Sequence, residues 1–139
     1  MEVNFLEKSI RQLILPIQIK TCSPHEPLKN ILEYFKQMEI GSIVVTNSEH
    51  QPIGIFTERD FIQKIAGLSL NLEQETVESY MTPNPIYVNE NESIKKVLLH
   101  MRMGRFRHVI VVDDERKLVS VISIKDMIDY FCDQVPSFN

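Results

Sequence analysis

The sequence predicts an α/β (α+β) chain built from two tandem copies of one unit, each running strand, helix, strand, strand, helix. Three observations carry that reading. The stretch Gly54-Ile55-Phe56-Thr57-Glu58-Arg59-Asp60 reads as a strand passing directly into a helix, with Thr57 as N-cap and Asp60 placed to reach back to it. The same junction returns at Ser120-Val121-Ile122-Ser123-Ile124-Lys125-Asp126, 66 residues later at every position. From Glu26 to Ile65 the copies align without a gap, and Glu26, Lys29, Leu32, Val45, Glu49, Asp60 and Ile62 recur as Glu92, Lys95, Leu98, Val111, Glu115, Asp126 and Ile128. A fixed offset of this kind is the mark of an internal repeat. It predicts two copies related by a pseudo-twofold axis. A single copy of about 50 residues is marginal alone, so the two are expected to share a core.

The elements follow in order. Val3, Leu6, Ile10, Leu13 and Ile14 have helical spacing and predict a short amphipathic helix that Pro16 ends. Residues 17–22 read as a strand. Leu28, Ile31, Leu32 and Phe35 fall on one face of a helix that stops near Glu39, with Tyr34 and Met38 widening the face. Residues 42–46 and 53–56 read as strands around a polar turn. Thr57 then opens a helix with Phe61, Ile62 and Ile65 inward, closed by Gly67 as a glycine cap. After a linker, residues 77–81 form a helical turn, and Thr82-Pro83-Asn84-Pro85 must extend or turn. The second copy gives a strand at 85–88, a helix over 93–103, strands at 109–112 and 118–122, and a helix from Ser123 with Met127, Ile128 and Phe131 inward. The tail from Asp133 reads as loose. The expected divisions are 1–16, 17–67, 68–76, 77–132 and 133–139.

At 139 residues and 43% hydrophobic, the chain has the length of about one domain and can bury a core. Its net charge of −4 weighs against a general nucleic-acid binder. Cys22 and Cys132 form no CxxC and no zinc spacing, which suits free thiols in a reducing cytoplasm. The first residues do not form a signal peptide, and no apolar run approaches the roughly 20 residues that span a bilayer. His25 and His50 sit in polar turns, and the six methionines read as core. There is no phosphate-gripping glycine loop, no HExxH, no GxSxG, and no nucleophile with an evident base, so nothing points to an enzyme or to a bound metal.

The duplicated junction, the stretch Tyr80-Met81-Thr82-Pro83-Asn84-Pro85 and the run Arg107-His108-Val109-Ile110-Val111-Val112 together resemble the CBS domain, in the tandem pair called a Bateman module. The resemblance covers about residues 9–131. It implies regulatory binding of an adenine nucleotide such as AMP, ADP or ATP in the cleft between repeats, with NAD and S-adenosylmethionine ranking behind. It also implies pairing of two modules into a disc-like homodimer, and a regulated protein whose identity the sequence does not give. With no room for an attached domain, the chain resembles the stand-alone kind.

Thr57 and Ser123 sit at helix N-termini, where backbone N–H groups and the dipole favour a phosphate. Asp60 and Asp126 could accept from both hydroxyls of a ribose. The plain alternative is that each pair is only a capping box. In the family the hydroxyl and the aspartate are the phosphate and ribose contacts, and both match here twice. Arg107 and His108 stand where the family often places basic residues near the phosphates, whereas the first copy has Gly41 and Ser42. Arg102 and Arg105 read as a solvated helix end. The resemblance adds Thr21 as a ligand contact, with Tyr87 as its counterpart. The two sites are therefore expected to differ, with the Asp126 site tighter for phosphorylated ligands. Gly54 would allow a ligand close to the backbone, and Ser120 in its place could narrow the second site. The rival functions are a purely structural dimerisation module and a nucleic-acid binder using residues 100–108.

Overall fold

The computed structural model describes residues 4–14, 19–104 and 107–135. They form four α-helices and two sheets in two compact units. One unit is Lys20–Pro85, and the other joins the residues before Lys20 to those from Ile86 onward.

In the Lys20–Pro85 unit, β1 (Thr21–Cys22) leads to α1 (Leu28–Met38), β2 (Ser42–Thr46), β3 (Pro52–Thr57) and α2 (Glu58–Lys64), and β4 (Thr82–Pro83) completes the sheet. Its order is β1-β2-β3-β4, with β1 parallel to β2 and the other pairs antiparallel. In the second unit, β5 (Tyr87–Asn89), α3 (Ile94–Gly104), β6 (His108–Val112), β7 (Leu118–Ser123) and α4 (Ile124–Gln134) repeat the series around a sheet of order β5-β6-β7. The copies agree in detail. Asn47 and Asp113 each accept two backbone N–H bonds within the hairpin turn, and His50 and Arg116 each take a left-handed φ there, 62° and 64°. Both hairpins shift register near their ends, at Val45/Thr46 and Val111/Val112.

Within each unit the apolar side chains gather into a cluster of their own. The first holds Leu28, Ile31, Phe35, Ile43, Val45 and Phe56, with the Phe35 and Phe56 rings stacked at 6.0 Å. The second holds Ile94, Val97, Met101, Val109, Val111, Ile122 and Met127, together with Ile10 and Leu13. Ile10 and Leu13 do not lie on the amphipathic helix expected at the N-terminus. The chain there makes two short 3₁₀ turns, Asn4–Glu7 and Ile10–Leu13. The break between them follows from docking. Ile94 N–H donates to the Lys8 carbonyl at 2.9 Å, the Ser9 hydroxyl to the Glu90 carbonyl at 2.7 Å, and Ile10 N–H to the Glu92 carbonyl at 2.7 Å. Arg11 pairs with Glu90.

The segment before β4 does the same for the first unit. Leu28 N–H donates to the Glu75 carbonyl at 2.9 Å and Val77 N–H to the Glu26 carbonyl at 3.0 Å, while isolated bridges join Pro27 to Thr76 and Ser9 to Ser93. Thus Ile10 and Val77, both fully buried, occupy equivalent places. The duplication begins earlier than Glu26, at an offset of 67 that becomes 66 by β1 and β5.

Several local expectations change. Residues 1–3, 15–18, 105–106 and 136–139 lie outside the described residues, and with them Val3, the Pro16 stop, the start of the first strand, Arg105 and the end of the tail. Helix α4 continues through Asp133 to Gln134, where a loose tail was expected. Helix α1 ends on Glu39 in the left-handed region (φ 52°), ahead of Gly41 as expected, whereas α2 ends at Lys64 with Ile65 as its cap, and Gly67, with a φ of 88°, lies two residues beyond that cap. Ile62 and Ile128 do not face inward: they are 67% and 54% exposed. A helix packed on one side buries only the stripe that faces its sheet, and both isoleucines lie off that stripe. Of the described methionines, Met101 and Met127 are core, whereas Met38 and Met103 are exposed.

Candidate functional site

The two strand–helix junctions are built alike. The Thr57 hydroxyl accepts from Asp60 N–H at 3.1 Å, and the Asp60 carboxylate accepts from Thr57 N–H at 3.0 Å. At the second junction Ser123 accepts from Asp126 N–H at 3.1 Å, and Asp126 accepts from Ser123 N–H at 2.8 Å. Both capping boxes are therefore complete. The residue before β2 or β6 also serves the helix: Glu58 N–H donates to the Gly41 carbonyl at 3.1 Å, and Ile124 N–H to the Arg107 carbonyl at 2.9 Å. A helix start leaves four backbone N–H groups without intrahelical partners. Three of the four are satisfied here by the chain itself, which leaves the N–H of Arg59 in one copy and of Lys125 in the other without a partner among the described residues. The helix start alone thus offers an anion less than the bare motif suggests.

The second junction adds charge. His108 is the register partner of Ser123, and the Arg107 carbonyl holds the first turn of α4. So Ser123, Asp126, Arg107 and His108 come together at one strand–helix corner, with Arg107 exposed and His108 half-buried. The first junction has Ser42 opposite Thr57 and Gly41 in the place of Arg107, while Arg59 in the first turn of α2 matches Lys125 of the second copy. Thr21 lies on β1 opposite Val44, within the Lys20–Pro85 unit, and Tyr87 holds the equivalent place on β5 opposite Ile110. Arg102 is exposed in the last turn of α3.

The carboxylates are not equally available. Asp60 Oδ2 also accepts from the Thr57 hydroxyl at 3.1 Å, and its Oδ1 lies 3.2 Å from Lys64 Nζ. Among the described residues Asp126 has no cation: Lys125 turns to Asp129 at 3.1 Å. Lys64 escaped the motif reading because it lies outside the repeated signature. Its counterpart 66 residues on is Tyr130, and comparing the copies at that position was the available signal.

The serine–glycine difference has another cause than ligand access. A Cβ on Gly54 would collide with the Met81 side chain, and Gly54 faces Pro83 on β4. Ser120 is buried on the side of β7 that carries Leu118 and Ile122, so it points into its own unit's interior.

A further divergence lies along β5 and α3, where an open groove of about 470 Å³ is lined by residues including Tyr87, Glu92, Lys96, His100 and Arg116. At the equivalent place in the first unit, Tyr34 and Asn30 both donate to Glu26, at 3.1 and 3.0 Å, and Lys20 lies over the Tyr34 ring. Tyr34 and Asn30 stand where the second copy has His100 and Lys96.

Two mixed α+β units of the same topology, each carrying a capped strand–helix corner, define a tandem-repeat protein. The CBS domain family model matches residues 10–67 and again 77–133. The chain belongs to the CBS domain family, with two domains in tandem. It is 30% identical over 108 residues to an uncharacterized protein of Methanopyrus kandleri, covering 78% of this chain but only 55% of that one. Among solved structures, a CBS domain protein from Pyrobaculum aerophilum complexed with AMP superposes with a TM-score of 0.77 at 22% identity, covering 91% of this chain and 99% of the other. The CBS domain pair of protein MJ0100, in complex with 5′-methylthioadenosine and S-adenosyl-L-methionine, gives 0.79 at 22% identity, with 92% and 98% covered. At that identity the likeness establishes the fold. Among the described residues no helix is long and apolar enough to cross a membrane.

Proposed function

We propose that the chain is a regulatory, non-catalytic, cytoplasmic module that binds an adenine nucleotide and thereby modulates a partner protein. The observation that carries this is the corner where Ser123, Asp126, Arg107 and His108 meet, with Asp126 Oδ1 lacking any partner among the described residues. A carboxylate oxygen of that kind suits the hydroxyls of a ribose, and Arg107 with the Lys125 N–H suits a phosphate. Thr21 belongs to the proposal on the family resemblance alone. The AMP of the Pyrobaculum structure and the thionucleoside ligands of MJ0100 favour adenine-bearing ligands as the class to test. AMP, ADP and ATP come first, ahead of NAD and S-adenosylmethionine.

Calorimetric titration of AMP, ADP and ATP into the wild type and Asp126→Ala tests the reading. One charge-assisted hydrogen bond is worth about 1.5–3 kcal/mol, so the variant should bind roughly ten- to a hundredfold more weakly. Binding of all three nucleotides untouched by Asp126→Ala, or no binding to the wild type, overturns it.

A second reading, assembly without a ligand, draws on the completed capping boxes, which give Thr57, Asp60, Ser123 and Asp126 a sufficient structural role. It shares with the first a proposed homodimer, supported by the exposed apolar side chains Met38, Ile62, Leu99, Met103 and Ile128.

A further inference from the structure

We propose that Lys64 decides which of the two signature aspartates takes a ribose: it closes the Asp60 copy and leaves the Asp126 copy to bind. This rests on the reading of Asp126 as a hydroxyl acceptor given above. Lys64 Nζ donates to the Tyr80 carbonyl at 2.8 Å while lying 3.2 Å from Asp60 Oδ1. The Asp60 side chain is only 13% exposed, and its other oxygen already takes the N–H and the hydroxyl of Thr57. A hydroxyl arriving at Asp60 must therefore compete at Oδ1 with an ammonium that a second acceptor, the Tyr80 carbonyl, holds in place. An ion pair at i, i+4 on a helix contributes little to stability when it is exposed. Its effect on access is larger, because an arriving hydroxyl brings no positive charge to replace that of the ammonium beside the carboxylate.

The second copy lacks the device. Tyr130 stands at the position of Lys64, and its ring packs edge-on against Phe5 at 6.1 Å and beside Phe131. The identical threonine/serine–aspartate signature thus occurs in two states within one chain. In one the carboxylate is occupied from within. In the other, Oδ1 has no partner among the described residues.

The tests are removal of the lysine from the first copy and its transfer to the second. In calorimetric titrations of AMP into the full chain, Lys64→Met should add or strengthen an Asp60-dependent event by about tenfold, and Lys64→Arg, which keeps the cation, should behave as wild type. The gain should vanish in the Lys64→Met/Asp60→Ala double variant. Tyr130→Lys, whose aliphatic stem can cover the same apolar surface, should weaken the Asp126-dependent event by about tenfold. This arm keeps the test decisive should Lys64→Met fail to fold. If Asp126→Ala abolishes AMP binding while Lys64→Met and Tyr130→Lys both titrate as wild type, Lys64 has no such role and the ligand-binding reading stands. If Asp126→Ala itself leaves AMP binding unchanged, the reading fails and takes the role of Lys64 with it.

Discussion

Burial pushes the Cys22 thiol up to about 12, with Glu26 adding to the rise and Lys20 opposing it. Cys132 is exposed on α4, so the two cysteines differ by environment alone. In the unfolded chain Cys22 ionises near its ordinary value of 9.0. Below that pH both states hold the proton and its contribution to stability is complete. As pH rises from about 9 toward 12 the unfolded state loses the proton first, and stability falls by at most about 1.4 kcal/mol per pH unit. Tyr34, raised by burial and by its bond to Glu26, moves stability in the same direction. Urea unfolding of wild type and Cys22→Ala at neutral pH and near pH 10 checks the point: the variant should show the shallower decline, and parallel declines would assign the loss elsewhere. The residue scale also shows how a motif can be right and its reason wrong. Gly54 belongs to the repeated signature, yet what approaches it is the Met81 side chain of its own unit, which no local pattern could announce.

At the scale of elements, each unit's first helix is completed by a segment distant in the chain: residues 75–77, which follow α2, for the first unit, and residues 8–10, which precede the whole first copy, for the second. Ile10 and Val77 are the anchors of these two segments, each with no exposed surface. Ile10→Ala should lower the stability of the second unit by about 2–4 kcal/mol, read as a lower thermal midpoint, although the residue belongs to neither sheet nor α-helix. An unchanged midpoint would mean that the segment only rests on the unit. The order strand, helix, strand, strand, helix was legible in the sequence because alternation, helical spacing and the two capping boxes are local signals. The destination of residues 4–14 was not. Leu6, Ile10 and Leu13 fit a helix as well as they fit two 3₁₀ turns, and hydrogen bonds to Glu90, Glu92 and Ile94, some 80 residues away, decide between them. The same limit applies to α2 and α4. Ile62 and Ile128 look like core by type, and only the packing of each helix on its sheet turns them outward. Of the candidate site, Ser123 and Asp126 were singled out by the duplicated junction, and Arg107 and His108 by the family resemblance, whereas the pairing of Lys64 with both Asp60 and Tyr80 needed the fold.

For the whole molecule, the question is what covers the apolar side chains that the two units leave in solvent. Ile62 and Ile128 are the same residue at the same position of the repeat, on α2 and α4, and both are more than half exposed. Met103 on α3 is 83% exposed, and Leu99 lies one turn before it. Single exposed apolar residues need no explanation, but equivalent ones on both copies point to a shared use. A homodimer that seats these helices against a second chain accounts for them, and a charge introduced at such a position would be desolvated without a partner, at a cost of several kcal/mol. Sedimentation velocity at micromolar concentration should therefore show wild type at twice the 16.2 kDa monomer mass, and Ile62→Lys/Ile128→Lys as a folded monomer with unchanged helical circular dichroism. A wild type that sediments as a monomer rejects the homodimer. A double variant that remains dimeric moves the interface to Met38, Leu99 and Met103, where Leu99→Lys/Met103→Lys should then dissociate it.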